Sequence, residues 1–317
     1  MKLTIVSFGL VALVACTSAP ATGDDAVALP AVTVAAGPDS ESLLLAHIVV
    51  ALLDVNEIAG EVVNFVDSRD SRQALELGAV DLRIGYTGET WLETLARADP
   101  PSNPRESFAA VRDFDAQRGI TWLPPRFSEN GHGPPANATF AFVIQGPPSA
   151  DADLVTMSQF ASRLSARPEA MVCVDREFAT RPDGLPAVLS AYSVRSDRAF
   201  LAAEPDQAVL GVAAGDCLAG LTTTTDPDAF LAGLRPLIDD LGVFPAFVPS
   251  VQIRTDIADD RPQIRFAVMP LPLQLTTPML AQWNARVRAG ESIEDVATSV
   301  ALQLREGAGT TSPNAET

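Results

Sequence analysis

Apolar residues recur along the chain at spacings typical of helices and of strands. Between residues 40 and 55, Leu44, Ile48, Leu52 and Val55 fall on one face at helical spacing. An apolar face of this kind is normally buried against the rest of the protein. The pattern therefore predicts a core-facing helix over 40–55.

Strand and helix patterns alternate through the first hundred residues. Strand-like apolar runs occupy 31–35, 61–66 and 80–84, and helical patterns lie between them at 40–55 and 71–77. Strands that alternate with helices usually form parallel sheets covered by those helices. This half of the chain is therefore predicted to be α/β with a mostly parallel sheet.

The alternation continues beyond residue 139, after loops at 99–107 and 124–136 that are rich in Pro, Gly, Asn and Ser. An amphipathic pattern at 230–241 is interrupted by Pro236. The remaining predictions are strands at 139–144, 170–174, 217–221 and 252–254, and helices at 156–164, 185–192, 207–214, 278–289 and 293–304.

Size and charge limit the possible functions. The chain has 317 residues, 47% of them hydrophobic, which is enough for about two domains. It carries 22 Lys and Arg against 40 Asp and Glu, a net charge of -18. So negative a surface repels phosphate backbones, and we expect no nucleic-acid partner.

The first residues have the pattern of an export signal. Lys2 precedes an apolar run over 3–15, which is too short to span a membrane as a helix. The sequence L-V-A-C ending at Cys16 resembles the lipobox of bacterial lipoproteins. We expect 1–15 to be a lipoprotein signal peptide and Cys16 to be lipidated, with a plain secretory signal as the alternative. Residues 16–30 then form a tether.

Export affects the interpretation of the other two cysteines. Cys173 and Cys217 would lie outside the cytoplasm, where disulfides are permitted. They are either bridged or are two buried thiols that act as small apolar residues. Their spacing does not distinguish these alternatives.

Catalytic motifs are absent from the sequence. It contains no H-E-x-x-H, no G-x-S-x-G and no glycine loop of the phosphate-binding kind. The two histidines, His47 and His132, are far apart and do not form a metal-ligand cluster. We therefore expect no enzyme activity, no metal and no cofactor.

Seven short motifs follow one another along the chain. They are G-P-D-S-E-S at 37–42, R-Q-A-L-E-L-G-A-V-D-L at 72–82, Y-T-G at 86–88, N-A-T-F-A at 137–141, R-P-D-G-L at 181–185, T-D at 225–226 and V-F-P-A-F at 243–247. In this order they resemble motifs of the substrate-binding proteins of ABC importers for glycine betaine, choline and related osmoprotectants. The resemblance covers nearly all of the chain after the tether.

The resemblance implies a two-lobed, type II periplasmic-binding-protein-like fold, with mixed sheets flanked by helices and a ligand cleft between the lobes. Lobe one would comprise 31–133 and 230–308, and lobe two 134–229, followed by a disordered tail at 309–317. It also implies a monomer, anchored by lipid on the extracytoplasmic face of the cell membrane. Its partners would be an ABC permease and ATPase complex.

The resemblance further implies that aromatic rings hold the quaternary ammonium of the ligand, because such a cation is attracted to ring faces. Tyr86 and Phe140 match two ring positions, and Glu41 in the opening motif joins the ligand-binding set. The other ring positions fall at about Val209 and Thr223, which are not aromatic. Tyr86 could instead be a half-buried residue that covers the sheet edge.

Arg181 or Glu89 would contact the other end of the ligand. Arg181 is suited to an anionic group, and its alternative is a surface pair with Asp183. Glu89 would repel a carboxylate and attract a cation, or would simply begin a helix in solvent. Tyr192 matches a structural position of the family.

The leading hypothesis is an extracytoplasmic protein that captures a small quaternary-ammonium or related cationic or zwitterionic solute for an ABC importer. One alternative is a binder of a different polar metabolite. Another is a surface sensor lipoprotein that transports nothing. The depleted set of aromatic rings leaves the ligand open.

Overall fold

The computed structural model describes residues 29–127, 134–182, 184–195, 201–203 and 205–309. Several sequence predictions fall outside these ranges: the signal peptide at 1–15, lipidated Cys16, His132, Asp183 and all but the first residue of the tail at 309–317. The described elements belong to a compact unit that begins at Ala31.

The described residues form strands in two separate regions of the chain. The strands are β1 (Val32–Ala36), β2 (Gly60–Asn64), β3 (Leu82–Tyr86), β4 (Ile120–Trp122), β5 (Phe140–Gln145), β6 (Val172–Asp175), β7 (Leu201–Ala203), β8 (Ala219–Thr223), β9 (Leu234–Pro236) and β10 (Pro249–Arg254).

Helices separate and cover these strands. They are α1 (Ser40–Asp54), α2 (Ser68–Glu76), α3 (Thr87–Glu89), α4 (Pro104–Ala116), α5 (Met157–Ala166), α6 (Arg176–Thr180), α7 (Leu185–Ala191), α8 (Pro205–Ala214), α9 (Pro227–Leu231), α10 (Thr255–Asp260), α11 (Pro262–Val268), α12 (Pro270–Gln274), α13 (Thr277–Arg288) and α14 (Ile293–Gly309). A π-helical turn, Thr90–Thr94, extends α3.

The strands form two five-stranded sheets with the same plan. The first has the order β2-β1-β3-β10-β4 and the second β7-β6-β8-β5-β9. In each sheet three strands are parallel, and a strand from a distant part of the chain pairs antiparallel with the third. We call each sheet and its helices a lobe, the first built on β1–β4 and β10 and the second on β5–β9. The predicted two-lobed α/β fold is confirmed.

The second sheet extends beyond the predicted lobe boundary at residue 229. Strand β9 pairs with β5, with Val143 opposite Pro236 and Gln145 opposite Leu234. Pro236 is tolerated because β9 is an edge strand, where an amide hydrogen is not needed. The amphipathic segment 230–241 is therefore not one helix, and the chain crosses back to the first lobe after β9.

Two crossing segments connect the lobes, 123–139 and 237–248. They are hydrogen-bonded to each other: Ala138 N donates to Phe247 O at 2.9 Å, and Phe247 N donates to Asn137 Oδ1 at 2.6 Å. The Thr139 hydroxyl donates to Pro245 O. Paired connections of this kind can bend together as a hinge.

The main core of the first lobe lies between α1, α14 and one face of the first sheet. It includes Val34, Leu45, Ile48 and Val300, all fully buried. A separate aromatic core in the second lobe joins Phe142, Phe160, Phe178 and Phe244 to apolar side chains of α5 and α7.

Cys173 in β6 and Cys217 before β8 form a disulfide in the structure. The bridge is buried beneath α8, where a side chain at Gly211 would come within 3.2 Å of Cys173 Sγ. None of the helices in the described ranges is long and apolar enough to cross a membrane.

Candidate ligand-binding site

The order of strands in the first sheet creates a crevice beside β1. The chain leaves β1 toward β2 on one side, whereas β3 lies on the other side. At such a switch point the connections after the two central strands diverge, and α/β proteins commonly bind ligands there. Here the two connections are the start of α1 and the start of α3.

Glu41 and Tyr86 meet at this switch point. Asp39 caps α1 by accepting a hydrogen bond from Ser42 N at 2.8 Å, which fixes Glu41 in the first turn. Tyr86 ends β3, and its hydroxyl donates to Glu41 Oε1 at 2.8 Å. Both side chains remain partly exposed. Two of the predicted ligand residues are therefore in direct contact at an accessible edge of the sheet.

A residue that sequence reasoning missed extends this pair toward the second lobe. Asn284 of α13 donates from Nδ2 to Glu41 Oε2 at 2.6 Å and to Thr225 O at 3.0 Å. Thr225 follows β8, so this contact joins the switch-point edge of the first sheet to the corresponding edge of the second. A buried Asn on an otherwise apolar helix face was the only sequence signal.

Burial governs the electrostatics of Glu41. It raises the pKa of the Glu41 carboxyl above its ordinary value of 4.5, while hydrogen bonds from Thr225, Tyr86 and Asn284 act in the opposite direction. Burial and the nearby Glu41 charge also raise the pKa of Tyr86 well above 10.0, so the phenol keeps its proton and remains a donor.

Glu89 is engaged by a cation. Arg83 Nη2 lies 2.9 Å from Glu89 Oε1, and the Arg83 side chain is only 3% exposed. Because side chains alternate along a strand, Arg83 projects from the opposite face of β3 to Tyr86. The pair neutralises the charge of Glu89.

Phe140 lies at the matching edge of the second sheet. It begins β5 opposite Thr223, where β8 ends. Its ring is 5.7 Å from that of Phe178 and 6.2 Å from that of Phe244, and it retains partial exposure. Phe140 therefore presents an aromatic edge of the second lobe's core.

Arg181 contacts the same aromatic cluster. It follows α6, its guanidinium lies 5.7 Å from the centre of the Phe178 ring, and its Nη1 is 3.7 Å from Glu177 Oε1. The side chain is 37% exposed. Phe178 thus links Arg181 to Phe140.

Two other positions from the family comparison have different roles. Val209 is buried in the core beside Cys173 and Cys217, so no ring at that position would reach the switch-point edge. The Tyr192 hydroxyl donates to Asp239 and accepts from Leu241 N at 3.1 Å, which holds the 237–248 crossing against the second lobe.

A separate cavity of about 340 Å³ lies at the opposite edge of the second sheet, where Met171 precedes β6 and Leu218 precedes β8. Its lining includes Asp151, Arg167 and Asp216, and none of the predicted ligand residues. Within the residues that the structure describes, no group of three or more His, Cys, Asp or Glu side chains is placed to hold a metal ion.

Comparisons with known proteins agree with this architecture. The family described as the substrate-binding domain of an ABC-type glycine betaine transport system matches residues 30–299. The glycine betaine-binding protein YehZ of Escherichia coli is 25% identical over 260 residues, which cover 78% of this chain and 82% of YehZ. A glycine-betaine-binding protein of Pseudomonas aeruginosa is 26% identical over 226 residues, covering 68% of this chain and 69% of that protein.

Solved structures share the fold. Apo YehZ from Escherichia coli superposes with a TM-score of 0.77 at 23% identity, covering 87% of this chain and 99% of YehZ. A structure described as a glycine betaine/carnitine/choline ABC transporter also gives a TM-score of 0.77, at 19% identity, covering 86% of this chain and 98% of that one.

Two α/β lobes with facing switch-point edges define a type II periplasmic binding protein. Its sequence match is more specific than the fold. The chain belongs to the family of substrate-binding domains of ABC-type glycine betaine transport systems, because that match spans most of its length. This is a family of solute-binding proteins that work with the permease and ATPase of an importer, and not a family of enzymes.

Proposed function

We propose that this protein captures a small quaternary-ammonium or related cationic or zwitterionic solute, of the glycine betaine or choline type, between its two lobes. The observation that carries the proposal is the Tyr86–Glu41 pair, which lies at the switch point and is joined through Asn284 to Thr225 of the second lobe. Relatives named as glycine betaine-binding proteins support the ligand class.

The chemistry of these side chains suits such a solute. A quaternary ammonium has no N–H to donate, so it binds through aromatic faces and negative charge. Tyr86 and Phe140 offer partly exposed rings on the two facing edges. The hydrogen bond to Glu41 fixes the orientation of the Tyr86 ring before the ligand arrives, and less conformational freedom is then lost on binding.

Capture would close the lobes about the two crossing segments. A solute that contacts Tyr86 on one lobe and Phe140 on the other binds the closed form better than the open form, and so shifts the population toward closure. The closed protein would then present its ligand to a permease and ATPase complex.

The protein would act at the outer face of the cell membrane as a monomer held by lipid on Cys16. The lipobox-like sequence at 13–16 supports this part of the proposal. Cys16→Ala in the full chain should abolish labelling by an alkyne fatty acid and release the protein from the membrane fraction. Unchanged labelling and unchanged fractionation would contradict lipid anchoring at this residue.

The ligand class is tested by thermal shift and calorimetry on the folded protein with choline, glycine betaine, carnitine and amino acids. A ligand that binds only the folded state raises the melting temperature. Tyr86→Ala should abolish the response to quaternary amines, whereas Phe266→Ala, which removes a ring that is 73% exposed on α11, should preserve it. Full affinity in the Tyr86→Ala protein would remove Tyr86 from the site.

A further inference from the structure

Glu41 is a carboxylate whose hydrogen-bond partners are all neutral. Tyr86 and Asn284 donate to its two oxygens, the Thr225 hydroxyl adds a third contact, and the nearest charged influence on it is the like charge of Asp39. Among the residues that the structure describes, no arginine or histidine forms an ion pair with Glu41. A desolvated charge with neutral partners lacks a counter-ion.

The cationic side chains nearest this part of the fold are engaged elsewhere. Arg83 is paired with Glu89 on the opposite face of the sheet. Arg288, one turn after Asn284 in α13, forms two contacts of 2.8 and 2.9 Å with Asp228. Arg181 contacts Glu177 and the Phe178 ring in the second lobe. The Tyr86 end of the site therefore has net negative charge and three donors already committed to Glu41.

A cationic ligand would supply the missing counter-ion. When a positive group enters the crevice beside Tyr86, it gains the attraction of both the ring face and the Glu41 carboxylate. A zwitterion such as glycine betaine brings its own carboxylate only a few bonds from the ammonium, within the field of Glu41. Like charges brought together in a partly desolvated site oppose binding.

Resting on the proposed function, we infer that this site selects small organic cations without a carboxylate, of the choline type, over zwitterions of the betaine type. Glu41 is the specificity-determining residue. It attracts the ammonium and repels the ligand carboxylate, and Tyr86 and Asn284 position it.

The test is calorimetric titration with three probes: choline, glycine betaine and the neutral isostere of choline in which a tert-butyl group replaces trimethylammonium. For the wild-type protein we expect choline to bind at least tenfold more tightly than either of the others. In Glu41→Gln the affinity for choline should fall at least tenfold and the preference over glycine betaine should disappear.

The matched control is Glu306→Gln, the same chemical change at an exposed residue. Arg305 donates to Val55 O, which places this end of α14 beside the C-terminal end of α1. Glu41 lies at the other end of α1, about 20 Å away for a helix of 15 residues. Affinities for all three probes should be unchanged in the control.

Each outcome is decisive. Glycine betaine bound as tightly as choline by the wild-type protein, or choline affinity retained in Glu41→Gln, would overturn the inference and leave the proposed function intact. Failure of every quaternary ammonium to bind the wild-type protein would overturn both. Because the wild-type comparison needs no variant, the test holds even if Glu41→Gln does not fold.

Discussion

The two lobes share one topological plan but are stabilised by different chemistry. In the first lobe, Asp115 accepts from both Nη atoms of Arg72 at 2.6 and 2.7 Å and from Trp122 Nε1 at 2.6 Å, all within the protein interior. In the second lobe, the corresponding support comes from the Cys173–Cys217 disulfide and a cluster of phenylalanines.

The difference also divides the candidate site. The first lobe contributes the polar groups, Glu41, Tyr86 and Asn284, whereas the second contributes the ring of Phe140 on an apolar cluster. Recognition of charge is therefore assigned to one lobe and apolar contact to the other. We infer that a ligand meets the polar half first and that closure adds the aromatic half.

The largest expected effect is on the first lobe. Asp115→Ala leaves the buried Arg72 guanidinium without its main counter-ion, and we expect the free energy of unfolding to fall by about 3–5 kcal/mol. Urea unfolding followed by tryptophan fluorescence measures it, because Trp91, Trp122 and Trp283 all belong to the first lobe. Asp113→Ala, a neighbouring residue that is 67% exposed, should change stability by less than about 1 kcal/mol. Equal losses in the two variants would contradict a special role for the buried pair.

Removal of the disulfide tests the second lobe. The bridge closes a loop with a sequence separation of 44, and the double variant Cys173→Ala, Cys217→Ala should lose about 2–4 kcal/mol. Circular dichroism reports both lobes, so its transition should move to lower urea than the tryptophan transition. A reductant should destabilise the wild-type protein in the same way and leave the variant unchanged. Wild-type stability in the variant would show that the bridge is dispensable.

Tyr192→Phe distinguishes a structural tyrosine from the one in the site. Loss of the hydroxyl removes its bonds to Asp239 and Leu241, and we expect a decrease of about 1–2 kcal/mol in the free energy of unfolding. Ligand affinity, measured by calorimetry on the folded variant, should stay within about twofold of wild type, because only the crossing segment is affected. A large loss of affinity with unchanged stability would place Tyr192 in the site instead.

The smallest effect concerns the pH dependence of the ligand-free protein. Because burial raises the pKa of Glu41 above 4.5, the folded state holds this proton more tightly than the unfolded chain does. Its stabilising contribution is complete below pH 4.5 and is lost as the pH rises through the raised pKa. Melting temperatures across that window should fall less steeply in Glu41→Gln than in wild type, and Glu306→Gln should keep the wild-type slope. Identical slopes in all three proteins would show that Glu41 is not perturbed.

Local patterns were sufficient to predict most of the fold. Helix α1 has a clear apolar face and an Asp39 cap, and its predicted and observed starts coincide at Ser40. Helix α4 was missed because two of its four buried residues, Ser107 and Asp115, are polar, so no apolar stripe marks it. The short helices α10–α12 were missed because each spans at most two turns and two of them begin with Pro.

The candidate site was only half predictable. Tyr86 and Glu41 each follow a strand of the same parallel sheet, so their proximity is implied by the order of elements. The contact with Asn284 joins residues 243 positions apart, and no local pattern encodes it. The Arg83–Glu89 pair depends on which face of β3 the arginine occupies, which the motif resemblance did not address.

The positions at which the chain enters and leaves its fold affect how closure can be observed. Strand β1 and helix α14, the first and last elements described, both belong to the first lobe. A fluorescent protein fused to either terminus would therefore follow that lobe alone and would be insensitive to the other. An optical biosensor needs its second label within 140–223, and a surface-exposed turn between α5 and β6 is the natural insertion point.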